Sequence, residues 1–355
     1  MHPIIDAHLD LAWNALSWNR DLRLPLDQLS AAEKHMTDTP ARGKAAVSLP
    51  EMRRGKIVAC LGTLLVRCKP SARPAEGHRR RDLDVASPEI AHAIAIGQLA
   101  YYRELARQGE IHLLADAQAF RRHVEAAQGI GVIVAMEGAD PIVSPDAVQQ
   151  WWEAGLRCVG MAHYGQGRYA MGTGEAGDLT LAGIELLRSF DRVGMIVDLT
   201  HCAEPGFYTV LDRFGGRVLA SHNNCRALVP GDRQFSDEQI KLLIERGAVI
   251  GVAFDAWMLH AGYQRAVTPR EAVTLESVVD HIDHICQRAG NVEHVGIGSD
   301  IDGGFGTEQC PAGIDSIADL QKMEAVLKSR GYSDDDVAAI FYRNWLRFFS
   351  EALPS

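Results

Sequence analysis

The chain has 355 residues, of which 47% are hydrophobic and 23% charged, a balance typical of a folded globular enzyme rather than a disordered chain. Its formal net charge of −10 argues against a nucleic-acid partner, because such proteins carry a basic surface. No apolar run approaches the ~18 residues of a membrane span, and the first run begins so close to Met1 that we expect no signal peptide and no membrane partner.

The seven cysteines indicate the compartment. Their number is odd and their spacing shows no pairing pattern, so we expect buried free thiols rather than a disulfide framework. Free thiols and the lack of a signal peptide together predict a cytoplasmic protein.

Eight apolar runs follow one another along the chain, and they lack the period-two alternation of half-exposed strands. Such runs are typical of parallel strands that are buried on both faces. Residues 11–55 are predicted as irregular, with helical turns at the barrel mouth. The polar stretch from Lys69 to Asp82 predicts a mobile loop, and the glycine-rich stretch from Tyr164 to Asp178 predicts a flexible lid or close packing. The predicted strands are 3–7, 57–66, 130–136, 156–162, 195–199, 217–220, 248–254 and 294–298.

Segments of helical periodicity separate most of these strands. Eight strand–helix units over this length predict an α/β fold, a (β/α)8 TIM-like barrel, as a single catalytic domain over residues 1–355. An open, doubly wound sheet is the structural alternative. The predicted helices are 88–108, 145–154, 180–193, 237–246, 275–289, 316–329 and 334–350.

Side chains that bind metals follow six of the eight predicted strands. In a (β/α)8 barrel the active site lies at the C-terminal ends of the strands, so these side chains would meet there. Most of the other histidines lie in predicted loops or helices. A single histidine at a strand end is more often structural, but six coincidences in one register are hard to explain that way. The residues are His8 and Asp10, Glu137, His163, His201, His222, and Asp300 with Asp302.

Histidines and carboxylates without cysteine favour zinc or a similar borderline metal. The set is larger than one tetrahedral ion needs, so we expect two Zn²⁺ ions that share one carboxylate and one hydroxide. Glu137 is the candidate bridge, because a carboxylate has two oxygens to divide between two ions. His8 and Asp10 would hold one ion, and His201 and His222 the other.

Five ordered motifs resemble those of the membrane dipeptidase (renal dipeptidase) family, peptidase family M19, and indicate a prokaryotic-type member. The similarity runs from residue 3 to about residue 349 and includes the closing segment 344–349. Together these motifs are specific, although none is so alone. The motifs are Asp6-Ala7-His8-Leu9-Asp10, Met136-Glu137-Gly138, Val197-Asp198-Leu199-Thr200-His201, Ser221-His222 and Gly298-Ser299-Asp300-Ile301-Asp302-Gly303.

The resemblance implies a binuclear zinc dipeptidase that hydrolyses small dipeptides, L-D as well as L-L, by attack of a metal-bridging hydroxide. It implies the five metal ligands named above, and a homodimer is compatible with it. His163 would bind substrate and stabilise the oxyanion, and Arg233 would bind the terminal carboxylate of the dipeptide. Of the two acids after the eighth strand, Asp302 fits the position that binds the amine and handles the proton slightly better than Asp300.

The chain departs from the family pattern in two places. The opening motif continues as His8-Leu9-Asp10-Leu11-Ala12-Trp13, and Phe254-Asp255-Ala256-Trp257-Met258 stands where an Asn-Phe-Tyr type of segment is usual. Asp255 and Trp257 are therefore candidates to line the substrate pocket. The alternatives are another metal-dependent amidohydrolase of this barrel type, acting on a cyclic amide, lactone or N-acyl substrate, and a catalytically idle barrel that binds a ligand.

Overall fold

The computed structural model describes residues 1–69 and 83–355, and its centre is a barrel of parallel strands. The predicted loop from Lys69 to Asp82 lies outside the described residues, except for Lys69. Each of the eight predicted strands is present, so the predicted (β/α)8 TIM-like barrel is confirmed. Within the described ranges the barrel strands are β1 (Ile4–Leu9), β2 (Ile57–Leu65), β3 (Gly131–Glu137), β4 (Leu156–Gly160), β5 (Ile196–Asp198), β6 (Val218–Leu219), β7 (Ile250–Val252) and β8 (Val295–Ile297).

Each barrel strand lies beside its neighbours in sequence, in the order β7-β8-β1-β2-β3-β4-β5-β6. The ring closes where Ala220, directly after β6, forms a parallel bridge with Ile250 of β7. The strands near this closure are shorter than their apolar runs predict, and a single bridge joins β6 to β7. The short strand His112–Leu113 extends the sheet beside β3, and Arg67–Cys68 pairs with Asp84–Val85 outside the barrel.

The described helices surround the barrel, and no helix among them is long and apolar enough to cross a membrane. Short 3-10 turns precede or interrupt several of them, and a π-helical turn, Ala339–Arg343, divides the predicted helix 334–350. The helices are α1 (Leu11–Ser17), α2 (Leu26–Glu33), α3 (Leu49–Arg54), α4 (Pro88–Arg107), α5 (Ala117–Ala126), α6 (Val148–Glu153), α7 (Leu181–Val193), α8 (Glu204–Arg213), α9 (Asp237–Glu245), α10 (Ala256–Leu259), α11 (Leu275–Ala289), α12 (Met323–Ser329), α13 (Asp334–Ala338) and α14 (Asn344–Ala352).

The barrel interior is filled by alternate residues of the strands, because successive side chains of a strand point to opposite faces. Ile5 and Ile133 belong to this buried cluster, together with Trp345 and Phe349 of α14. Asn344 donates from Nδ2 to the carbonyl of Val295 at the start of β8. Helix α14 therefore closes the N-terminal end of the barrel, and the opposite end stays available for a site.

Helix α5 and the three short helices between residues 11 and 55 were not predicted as separate elements. In α5 only a narrow stripe is apolar, with Phe120 and Val124 buried against the barrel floor. Its start depends on a cap instead, since the carboxylate of Asp116 accepts from the backbone N–H of Ala119 at 2.7 Å.

Two glycines allow the strands to approach at the closure of the barrel. A Cβ atom at Gly298 would lie 1.7 Å from the carbonyl oxygen of Ser221, and one at Gly251 would lie 2.0 Å from the same oxygen. Only glycine fits such contacts. The approach places the turn after β6, which carries His222, against β7 and β8.

Candidate active site

The five predicted metal ligands converge at the C-terminal end of the barrel. His8 lies in β1 and Asp10 directly follows it, while Glu137 is the last residue of β3. His201 and His222 lie in the turns after β5 and β6. All five residues are buried, with no more than 7% of the surface of any of them exposed. The polar groups therefore face one another with little access to water.

Glu137 stands at the centre, and its two oxygens face different histidines. Its Oε2 lies 3.6 Å from Nε2 of His8. Its Oε1 lies 3.3 Å from Nε2 of His222, 3.4 Å from Nε2 of His201 and 3.7 Å from Nε2 of His163. Two atoms that bind one tetrahedral zinc ion at about 2.0–2.1 Å lie about 3.3 Å apart, so these spacings suit metal coordination.

His201 and His222 point their Nε2 atoms at each other across 3.2 Å. Their other ring nitrogens are occupied: Nδ1 of His201 lies 3.0 Å from Oγ1 of Thr173, and Nδ1 of His222 lies 2.8 Å from Oγ of Ser221. When each Nδ1–H donates to its hydroxyl, both Nε2 lone pairs face the same point. This arrangement is typical of metal-binding histidines, whose outer nitrogen is held by a second group.

His8 provides the clearest test of whether the site fits a metal. Its Nε2 is buried and has no hydrogen-bond partner among the described residues, although Glu137, Asp10 and Asp300 lie 3.6–3.8 Å away. Buried polar atoms without partners are uncommon in folded proteins. Three groups of side chains bring their ligand atoms close enough to hold an ion: His8 with Asp10 and Glu137, Glu137 with His201 and His222, and His8 with His222 and Asp300.

Electrostatics favour a cation in the same place. Burial raises the pKa of Glu137 well above its usual range, and the neighbouring carboxylates of Asp10 and Asp300 raise it further. Burial also raises the pKa of Asp10 to about 6, although a hydrogen bond from Thr63 opposes the shift. The pKa of His8 falls to about 3, first through burial and then through the charge of Arg233. A divalent ion stabilises ionised carboxylates and neutral imidazoles, so it would relieve the repulsion between these crowded acids.

Two further aspartates hold the ligand-bearing turns together, and the sequence reasoning assigned neither a role. Asp198 accepts hydrogen bonds at 3.0 Å from the backbone of Thr200 and of Ser221, which joins the ends of β5 and β6. Asp6 accepts from the backbone of His8 at 3.2 Å and of Ser299 at 2.8 Å, which joins β1 to β8. Both aspartates stand inside the motifs, so their position was the available signal.

Strained backbone accompanies the ligands. His201 has a φ of 65° and Asp300 a φ of 57°, both in the left-handed region. This conformation costs roughly 1–2 kcal/mol for a residue with a Cβ, and such strain is often found at functional sites. The glycine-rich loop supports the turn at His201: it packs closely on His163, where a Cβ at Gly172 would lie 1.7 Å from the carbonyl oxygen, and it delivers Thr173. Close packing, rather than a free lid, is the observed role of these glycines.

His163 differs from the other site histidines in its outer partner. A guanidinium nitrogen of Arg67 lies 3.4 Å from Nδ1 of His163, and Arg67 is itself paired with Asp84. Because arginine can only donate, Nδ1 accepts, and the ring proton of neutral His163 resides on Nε2. Burial lowers the pKa of His163 well below its usual value, so the ring is neutral. His163 therefore presents an N–H donor near Glu137.

Arg233 is buried beside the cluster and is only partly satisfied. One guanidinium nitrogen donates to the carbonyl oxygen of His222 at 2.9 Å, whereas Nε and Nη1 have no partner among the described residues. A buried guanidinium with two free donors is well suited to an anionic ligand, because arginine binds carboxylates through parallel hydrogen bonds. The structure thus brings Arg233 to the cluster as the sequence predicted.

Asp300 and Asp302 point to different places, although the sequence favoured Asp302 slightly for the role near the substrate amine. The carboxylate of Asp300 lies 3.8 Å from Nε2 of His8 and lines the cavity. The carboxylate of Asp302 turns away: it accepts from the backbone of Ala46 at 3.0 Å and of Val47 at 2.9 Å, and Arg20 lies 3.5 Å from it. Through these bonds the Asp302 carboxylate holds the loop before α3, and it lies away from the predicted metal ligands.

A small cavity of about 100 Å³ opens onto the cluster. Apolar walls come from Trp13, Leu65, Leu83 and Met258. The polar residues that line it are Asp10, Glu137, His163, Tyr164, His201, Arg233, Asp255 and Asp300.

The comparisons with known proteins agree with this geometry. The family model of the membrane dipeptidases (peptidase family M19) matches residues 1–353. The chain belongs to this family. It is therefore an enzyme, a metal-dependent dipeptidase, as the sequence motifs implied.

Individual relatives of this M19 chain are distant but align along nearly its whole length. Dipeptidase verJ of Clonostachys rogersoniana is 26% identical over 351 residues, which cover 97% of this chain and 83% of that protein. A metallopeptidase from Rhodobacter sphaeroides, solved with a phosphinate mimic of the dipeptide L-Ala-D-Ala, superposes with a TM-score of 0.79 at 24% identity and 99% coverage of both chains. The probable dipeptidase PvdM from Pseudomonas aeruginosa has a TM-score of 0.76 at 19% identity, covering 99% of this chain and 96% of that one.

Proposed function

We propose that this M19 enzyme is a binuclear zinc dipeptidase in which His8 and Asp10 bind one ion, His201 and His222 bind the other, and Glu137 bridges them. The proposal rests on the orientation of the Glu137 carboxylate. Its Oε2 faces His8, while its Oε1 faces His201 and His222. We further propose that residues 1–355 act as one catalytic domain.

Zinc is the metal that best fits these donors. Imidazole nitrogens and carboxylate oxygens, without thiolates, suit a borderline ion, and the carboxylates bring the negative charge that two divalent ions require. When bound, the ions would supply an activated water nucleophile and polarise the carbonyl of the scissile bond.

Two further residues of the cavity bind the two charged ends of a dipeptide. Two guanidinium nitrogens of Arg233 have no hydrogen-bond partner among the described residues, and Arg233 binds the terminal carboxylate. The carboxylate of Asp300 lines the cavity, where no backbone donor of the described ranges holds it, and it binds the terminal ammonium group. Because the cavity holds both an anion site and a cation site, a free dipeptide fits better than an N-acyl or cyclic substrate.

Proton handling and oxyanion stabilisation follow from the same contacts. His163 carries its ring proton on Nε2 and donates it in a hydrogen bond to the oxygen that gains charge as the carbonyl is attacked. Asp300 stands where it can accept a proton from the nucleophile and return it to the leaving amine. Asp302 has no part in this step, since its oxygens are occupied by Ala46 and Val47.

In this proposal the substrates include dipeptides with a D-residue at the C-terminal position. The Rhodobacter sphaeroides metallopeptidase binds a mimic of L-Ala-D-Ala, and its fold is shared by this chain over 99% of its length. Arg233 recognises the carboxylate itself, which both configurations carry, so it sets no strict requirement at the adjoining Cα.

A panel of dipeptides tests the proposal. Enzyme loaded with Zn²⁺ is given Ala-Ala, L-Ala-D-Ala, acetyl-Ala-Ala and Ala-Ala-amide, and metal content is measured in parallel. We expect two zinc ions per chain and cleavage of the free dipeptides at least about tenfold faster than of either blocked form, the effect of one lost charge-assisted hydrogen bond. Equal rates on blocked and free peptides would contradict the roles of Asp300 and Arg233. Cleavage of none would contradict the substrate class, and one tightly held ion would contradict the bridge.

A further inference from the structure

Asp255 is an acid in the cavity that the reaction does not use. It follows β7, and so stands between the loop of Arg233 after β6 and the turn of Asp300 after β8. It lines the same cavity as both, and only 6% of its surface is exposed. Its place is therefore between the proposed carboxylate site and the proposed ammonium site.

Neutral donors hold the Asp255 carboxylate in position. Its Oδ1 accepts from Nε2 of Gln309 at 2.8 Å and from the backbone N–H of Trp257 at 3.3 Å, which caps the short helix α10. These bonds orient the group and, together with the nearby charge of Arg233, favour its ionised form. In the proposed function that charge is shared with the carboxylate of the substrate. Burial raises its pKa to about 6, so the carboxylate is largely charged at neutral pH.

The charges of a simple dipeptide leave Asp255 without a counterpart. In the proposed function the terminal carboxylate pairs with Arg233 and the terminal ammonium with Asp300, while Asp10 and Glu137 face the histidines. Asp255 then remains as a buried negative charge in contact with the bound substrate. A buried charge is costly unless a positive or strongly donating group meets it, and a side chain of the substrate can supply such a group.

We propose that Asp255 makes the enzyme selective for dipeptides with a cationic side chain of the lysine or arginine type. The inference rests on the proposed dipeptidase function and adds a substrate class to it. The walls support the choice, because Trp257 and Met258 line the cavity with Asp255. A long aliphatic stem packs on such apolar walls while its charged end reaches an acid.

Pairs of substrates that differ only in this charge provide the test. Ala-Lys is compared with Ala-norleucine, and Lys-Ala with norleucine-Ala, in the zinc-loaded enzyme. We expect kcat/KM to favour the cationic member of at least one pair by about tenfold to a hundredfold, the effect of one hydrogen bond to a charged group. The pair that responds identifies the residue whose side chain meets Asp255.

Variants connect the preference to Asp255. In Asp255→Asn the ratio of cationic to neutral kcat/KM should fall towards one, and in Asp255→Lys it should invert, with Ala-Glu cleaved faster than Ala-Gln. Glu175→Gln is the matched control, because Glu175 is exposed and lies outside this cavity, and its ratio should equal that of the parent enzyme. If Asp255→Lys does not fold, the Asn variant alone decides.

The outcomes separate the two proposals. Cleavage of the neutral dipeptides as fast as the cationic ones, or a preference that survives in Asp255→Asn, overturns the role of Asp255 and leaves the dipeptidase proposal standing. Failure to cleave any of the four dipeptides overturns the dipeptidase proposal itself, and the role of Asp255 falls with it.

Discussion

Nε2 of His201 and Nε2 of His222 lie 3.2 Å apart, while a hydroxyl group holds the Nδ1 atom of each ring. Burial keeps both imidazoles neutral by lowering their pKa well below the usual value. When both Nδ1–H groups donate to these hydroxyls, the two Nε2 lone pairs face each other and repel unless a cation lies between them. We therefore expect this pair to depend on bound metal.

Removal of metal should therefore destabilise the folded enzyme as well as inactivate it. Dialysis against a chelator is expected to lower Tm by several degrees, because a ligand present at a thousand times its Kd contributes about 4 kcal/mol to folding. Differential scanning calorimetry with and without restored Zn²⁺ measures the effect. Identical melting curves for the metal-free and zinc-loaded enzyme would show that these histidines bind no metal.

Glu137→Gln should disrupt both halves of the site at once. An amide keeps the shape of Glu137 but has one oxygen fewer and no charge. It therefore cannot place one carboxylate oxygen near His8 and the other near His201 and His222. We expect bound zinc to fall below two ions per chain, and kcat to fall by more than the roughly hundredfold loss typical of an outer partner. Elemental analysis and steady-state kinetics measure this, with Glu175→Gln as the control. Near-normal turnover with two ions bound would remove Glu137 from the site.

Much of this architecture could be predicted from the sequence. Strands buried on both faces leave continuous apolar runs, and all eight runs became barrel strands. The predicted ligands were visible because each one lies at or shortly after the end of such a run, as Glu137 does at the end of β3. The helices between residues 11 and 55 were missed because they have only 7, 8 and 6 residues, too few turns to repeat an apolar stripe.

The orientation of individual side chains after a strand could not be predicted. In an extended chain Asp300 and Asp302 would point the same way, but both adopt left-handed backbone, with φ of 57° and 66°. The turn sends Asp300 into the cavity and Asp302 to the amides of Ala46 and Val47. Those partners lie more than 250 residues away in the chain, where no local pattern indicates them.

This divergence predicts opposite phenotypes for the two acids. Asp300→Asn should reduce kcat/KM for Ala-Ala at least about tenfold, since its charge meets the substrate ammonium, while stability stays the same or rises because repulsion from Asp10 and Glu137 is relieved. Asp302→Ala should cost about 3 kcal/mol in unfolding free energy, because Ala46, Val47 and Arg20 lose a buried acceptor. Urea unfolding and steady-state kinetics on both variants measure this. If Asp300→Asn were unstable while Asp302→Ala were stable but inactive, Asp302 would be the acid that acts on the substrate and Asp300 the one that supports the fold.

Arg233→Lys should weaken recognition of the substrate carboxylate while leaving the charge in place. Lysine is a point charge and cannot reproduce the planar guanidinium of Arg233, whose Nε and Nη1 have no hydrogen-bond partner among the described residues. The expected result is a rise in KM for Ala-Ala of about tenfold or more, with a much smaller change for Ala-Ala-amide, which lacks the carboxylate. Arg188→Lys, at an exposed position on α7, is the matched control and should leave both KM values unchanged. Because the amide substrate reports any general damage to the site, an equal loss on both substrates would show that Arg233 supports the turn through His222 rather than binding the dipeptide.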